Sequence, residues 1–179
     1  MCPVAANCRM VDLFLSREYN YHMNNIWNFG YNLALSLWVG GISIFTFIIT
    51  PVIFRSFERD MAGKIVGELF PGYLMYNLAL SVISFFLLIT IRPLLAKSGF
   101  KLSLILVACA VIINLFVVFK LHPEIVKVKQ EVHSFNASAD ESPARNKFRK
   151  LHAVSASLNL LLLADGITLL FISSMLKKQ

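Results

Sequence analysis

Four apolar runs, each about as long as a bilayer is thick, limit what this chain can become. They cover residues 29–54, 72–91, 102–121 and 153–175. A hydrocarbon core of about 30 Å is crossed by roughly 20 apolar residues in a helix. A segment in lipid must satisfy its own backbone hydrogen bonds, so each run is predicted to be a helix. The expected fold is all-α, an integral membrane four-helix bundle. Composition agrees, with 57% hydrophobic and 15% charged residues among 179. A soluble domain of that size, which buries only about 70% of its unfolded surface, could not hide so much apolar area. A soluble enzyme, a disordered chain and a disulfide scaffold are excluded on this ground.

The net charge of +7 comes from 17 Lys and Arg against 10 Asp and Glu. The basic residues sit at the ends of the apolar runs, where a membrane protein places them, so no nucleic-acid partner is expected. On one side lie Arg55, Arg59, Lys64, Lys120, Lys127, Lys129, Arg145, Lys147, Arg149 and Lys150. The other side holds seven, or five when counted from Met23. This bias predicts a multi-pass protein of a cell or bacterial inner membrane with both termini outside. Residues 1–22 lack the apolar stretch of a signal peptide and are expected to be an N-terminal extension or a mis-assigned start. Residues 23–179 form the four-span domain.

Between spans one and two, Phe57, Met61, Ile65 and Leu69 recur every fourth residue among charges. This pattern predicts an amphipathic interfacial helix, with Pro71 opening span two. Pro51 is expected to kink span one, and Gly40 and Gly41 to allow a close helix approach. Pro123 is expected to start a short helix, and Pro143 the last one. The segment 136–142 reads as a linker. Cys109 is expected to be a small core residue.

Asp165 is the only charged residue deep in a span. A charged Asp at mid-bilayer costs at least about 2.5 kcal/mol, so it should be protonated, hydrogen-bonded or facing a polar cavity. It is either a proton- or cation-binding group or a structural hydrogen-bonding residue. Its candidate partners are Asn114 in span three, Asn77 and Tyr76 in span two, and Asn32 in span one. On the fourth helix, His152, Ser155, Asn159, Leu162 and Gly166 share one stripe, which reads as a packing seam or one wall of a polar path. His122 and His152 fall on one membrane side and could bind a metal or a haem, although two ligands are too few for a structural zinc site. No cofactor is otherwise expected. No nucleophile–base pair or phosphate loop appears, so no enzyme is expected.

The segments LWVGG (37–41), AGKIVGELFPGY (62–73) and LHAVSASLN (151–159), with Pro51, Phe54 and Phe148, resemble the transmembrane protein 205-like domain family. The LW-GG and LH-S-LN pieces are also distantly similar to the membrane domain of copper-resistance D proteins. The resemblance implies a four-helix membrane domain without an assigned reaction. It marks Pro51, Gly67, Phe70, Pro71, His152, Ser155 and Asn159 as motif positions that set helix ends and packing. The second likeness implies copper handling, for which this chain lacks further intramembrane His residues. Two roles are expected to compete: transport or tolerance of a cation or metal by a homo-oligomer, and a non-catalytic accessory subunit of a larger membrane complex. Beyond these, the bilayer is the partner.

Overall fold

The computed structural model describes residues 4–91, 97–131 and 143–176, with side chains before Met23 left aside. Helix α1 (Val4–Ile44) passes through a π turn (Phe45–Ile49) into α2 (Thr50–Ser56). Then come α3 (Arg59–Thr90) and α4 (Lys97–Phe116). A second π turn (Val117–Leu121) leads into α5 (His122–Gln130), and α6 (Pro143–Leu176) completes the chain. Four continuous helical stretches, Asn25–Ser56, Arg59–Thr90, Gly99–Gln130 and Pro143–Met175, are long and apolar enough to cross a membrane. The backbone of α1 is helical from Val4, ahead of the first span. The basic turn at 92–96 and the linker at 136–142 lie outside the described residues.

Helix α1 packs on α3 and α6, and α4 also packs on α3 and α6. The four spans therefore form a closed antiparallel ring in which the last returns to the first. Inward positions recur at three- and four-residue spacing: Tyr31, Leu35, Trp38 and Ile42 on α1, Val107, Ala110 and Asn114 on α4. The interior also holds polar residues, and large apolar ones lie outside. Asn77, Ser81, Ser84, Ser103, Asn114, Ser155 and Ser173 are buried, while Phe29, Phe47, Phe86, Ile112, Phe119 and Phe171 are exposed. That arrangement is stable in lipid, where small and polar residues bring helices together and large apolar ones meet acyl chains. The chain is a multi-pass membrane protein.

The proline positions show how the backbone adapts. The Thr50 N–H donates to the Phe45 carbonyl, and the Thr50 Oγ1 donates to the same oxygen at 2.9 Å. The His122 N–H likewise donates to the Val117 carbonyl. Each of these i→i+5 bonds is followed directly by a proline, Pro51 or Pro123. A proline supplies no N–H and crowds the preceding turn, and widening that turn by one residue relieves both effects. The bend expected at Pro51 is therefore a π turn, and the helix expected after His122 continues span three.

The amphipathic segment between spans one and two follows a short extended link at Phe57 and Glu58. It is helical from Arg59, with Met61 and Leu69 facing outward and Phe57 exposed in the link. It differs from the expectation in being continuous with span two. Pro71 lies inside α3 instead of opening a helix. One missing N–H within a 32-residue helix packed on its neighbours does not break it. Cys109 is exposed on the outer surface of α4, a correction to its expected place in the core. Its neighbours Val107 and Ala110 take the inward positions of that turn.

Candidate functional site

The interior of the bundle carries two polar layers. The first is a hydrogen-bonded tie. The Tyr73 hydroxyl on α3 donates to the Asn159 Oδ1 on α6, across the diagonal of the ring. The Asn159 Nδ2 donates to the Thr46 Oγ1 at 2.8 Å, within the first π turn. Asn77 also approaches the Tyr73 hydroxyl from one turn further along α3. Phe45 stacks on Tyr73 with ring centres 4.0 Å apart. One amide thus joins three helices.

The second layer lies closer to the bundle middle, and its members have buried polar atoms without a protein hydrogen-bond partner. These atoms are the Trp38 Nε1 on α1, the Asn77 Oδ1 on α3, the Asn114 Nδ2 on α4 and the Asp165 Oδ2 on α6. Depth follows from helix rise. At 1.5 Å per residue, Asn77 lies ~6 Å and Asp165 ~9 Å beyond the Tyr73–Asn159 contact. Trp38 lies ~12 Å beyond the Thr46 contact on the same scale. The rings of Phe70 and His122 are 5.7 Å apart, which fixes the register of α4 against α3. Eight residues back from His122, Asn114 then falls at a depth of ~8 Å. Each span contributes one member to a polar slab spread over ~6 Å of depth. Asn77 and Asn114 are each 1% exposed and Trp38 0%. The Tyr31 hydroxyl, also buried and unpartnered, lies within electrostatic reach of Asp165.

Among the expected partners of Asp165, Asn77 and Asn114 are buried with one unpartnered polar atom each, and the other two are engaged elsewhere. Tyr76 donates to the Leu37 carbonyl at 2.7 Å. Asn32 accepts from the Ser173 Oγ at 2.9 Å and donates to Asn28. The stripe on α6 faces inward at Ser155, Leu162 and Gly166, while His152 is exposed at its end. Gly166 sits against Trp38 and Val39, where an added Cβ would lie 2.7 Å from a Val39 methyl. Close packing of α1 on α6 at this point brings Trp38 into the slab.

The histidines have aromatic neighbours. His122 packs on Phe70, and His152 stacks on Phe148 of its own helix at 5.9 Å. Among the described residues, no group of three or more His, Cys, Asp or Glu side chains could hold a metal ion. The motif glycines divide. Gly41 meets the Tyr76 ring, Gly40 faces open space, and Gly67 lies under Lys129. The Lys129 ammonium donates to the Gly63 carbonyl at 2.7 Å, tying α5 to α3. Sequence reasoning missed Tyr31, Thr46, Tyr73 and Lys129. Tyr31 and Trp38 share the 31-35-38-42 spacing, a signal that was present but reads as ordinary core.

Residues 33–134 match the family described as "Domain of unknown function (DUF4149)". The matched stretch holds Trp38, Asn77, Asn114 and His122 and ends before α6. A protein of Aquifex aeolicus (strain VF5), named "Uncharacterized protein", is 31% identical over 140 residues, which cover 77% of this chain and 91% of that protein. No solved structure matches the chain. Extent of match and identity together make the chain a member of the DUF4149 family.

Proposed function

We propose that the chain binds a small cation at mid-bilayer, for its transport or tolerance, with Asp165 as the binding carboxylate and no covalent catalysis. The observation that supports this reading is the buried, unpartnered Asp165 Oδ2 in a layer to which all four spans contribute. An unsatisfied polar group in a bilayer interior costs several kcal/mol, and such groups persist where a guest or a function needs them. Both termini lie outside in this proposal, following the basic bias toward the α2, α5 and early α6 end. The working unit is a homo-oligomer, because a single ring of four helices leaves little room for a path.

The test is Asp165→Asn in cells challenged with cations and in proteoliposomes that report cation movement. Loss of the response with unchanged expression and melting is expected, and full activity of the variant would sink the reading. A second reading, a non-catalytic accessory subunit, draws on the Tyr73–Asn159–Thr46 tie, which any route through a single bundle would have to break. Extraction in mild detergent separates the two readings. A subunit co-purifies with stoichiometric partners, whereas a transporter purifies alone or as copies of itself. Metal analysis and an absorption spectrum of that preparation address His122 and His152, since a colourless, metal-free sample excludes a haem or metal there.

A further inference from the structure

The unpartnered atoms of the slab differ in kind. Trp38 Nε1 and Asn114 Nδ2 can only donate a hydrogen bond, Asn77 Oδ1 can only accept one, and the Tyr31 hydroxyl can do either. A bare metal ion has no use for donors, and two N–H groups turned inward would repel it. Cation sites are built from acceptors, and a divalent site collects several carboxylates, thiolates or imidazoles. Here Asp165 is the single ionisable acid at its depth. A water molecule has two donors and two acceptors, so it can satisfy an N–H and a C=O at once. Buried waters in proteins occupy such mixed sites, with about three hydrogen bonds each.

Charge points the same way. No Lys, Arg, Asp, Glu or His lies in span one between residues 25 and 54, in span two between 69 and 90, or in span three between 102 and 119. The titratable group within electrostatic reach of Asp165 is a tyrosine, Tyr31 on α1, whereas Tyr73 on α3 is held in the tie to Asn159. No cation from the chain can neutralise the carboxylate. A proton can, and it leaves behind a neutral O–H that joins the same hydrogen-bonding set.

We propose that the layer of Trp38, Asn77, Asn114 and Asp165 is a hydrated proton site: Asp165 holds the proton, and ordered water bridges it to the donors and acceptors of the other three spans. This inference rests on the reading of Asp165 as a cation-binding group and names the cation. On release the proton passes from the Asp165 Oδ2 to a bridging water, which becomes hydronium as the carboxylate forms, so charge and atoms balance without another reactant.

Infrared difference spectroscopy of the full chain in nanodiscs tests it. At neutral pH a carboxylic-acid C=O band is expected, absent in Asp165→Asn, that shifts when H2O is exchanged for D2O and persists when zinc is added. Asn114→Ser and Asn77→Ser are expected to move that band with the melting transition retained, these small substitutions being chosen because leucine at either position could prevent folding. A band abolished by zinc at constant pH would overturn the proton site and leave a metal-binding Asp165. A carboxylate that is ionised at neutral pH and indifferent to metals would overturn both readings. A band that never responds to D2O, or that neither Asn variant moves, would show a dry and isolated carboxyl and overturn the hydrated layer.

Discussion

A methyl group added at Gly41 would come within 2.4 Å of the Tyr76 ring, whereas one added at Gly40 meets nothing within 4 Å. Adjacent glycines in one motif therefore do different work. Gly41 lets the Tyr76 ring lie flat on α1 and donate to the Leu37 carbonyl. Gly41→Ala is expected to destabilise the bundle by about 1–3 kcal/mol, the usual range for overpacking a tight contact. Gly40→Ala should leave the detergent melting curve where it is. At Asn159, replacement by Leu removes both arms of the tie and strands the Tyr73 hydroxyl and Thr46 in an apolar interior. A loss of about 1–2 kcal/mol is expected, the scale of interhelical hydrogen bonds in membranes. Tyr73→Phe should lose less, because it keeps the Asn159–Thr46 arm of the tie and removes only the contacts of the hydroxyl. Thermal denaturation of the purified variants measures all four. The polar residues themselves were legible in the sequence: Asp165, Asn159, Asn114 and Asn77 stand out as polar letters in apolar runs. Which of them bond and which remain unpartnered was not, since that depends on rotation and register that hydropathy does not encode.

At the scale of elements, the two π turns repeat one solution, an i→i+5 bond placed directly before a proline. Pro51→Ala restores an N–H and removes the ring that the turn accommodates. The variant is expected to keep its fold, with slower amide exchange over Phe45–Ser56 as the turn rewinds toward regular helix, and hydrogen-exchange mass spectrometry reads that out. The Lys129 ammonium on the Gly63 carbonyl is the corresponding tie at the end of span three. Lys129→Met keeps the apolar stem and removes the donor, so α5 should exchange faster while the spans do not. The extents of the four spans were legible because length and hydropathy determine them together. The continuity of α3 through Pro71 was not. A proline rule drawn from isolated helices overlooks the lipid and neighbouring helices that hold the chain helical on both sides. The place of Cys109 was misjudged for a related reason. A small side chain in a membrane helix gives no sign of which face it occupies when both faces are apolar.

On the scale of the whole molecule, large apolar side chains are exposed on all four spans, and seven polar ones are buried among the described residues. Cys109 on the outer face of α4 should therefore react with an apolar, membrane-permeant maleimide and resist a charged one in intact vesicles. Labelling from both sides of a sealed vesicle checks this. The ring order, with span four closing back on span one, was not legible, because nothing in four apolar runs states which pairs touch. The slab supplied by all four spans also bears on how the protein is built. Spans one to three can associate through their apolar and small residues, but their Trp38, Asn77 and Asn114 groups face an incomplete set until Asp165 arrives on the last helix. A helix displaced by one turn, about 5.4 Å, would shift its polar group by nearly the whole depth over which the four are spread. Chains truncated before α6 are therefore expected to be inserted yet to turn over faster than the full chain, which a pulse-chase measurement in cells checks.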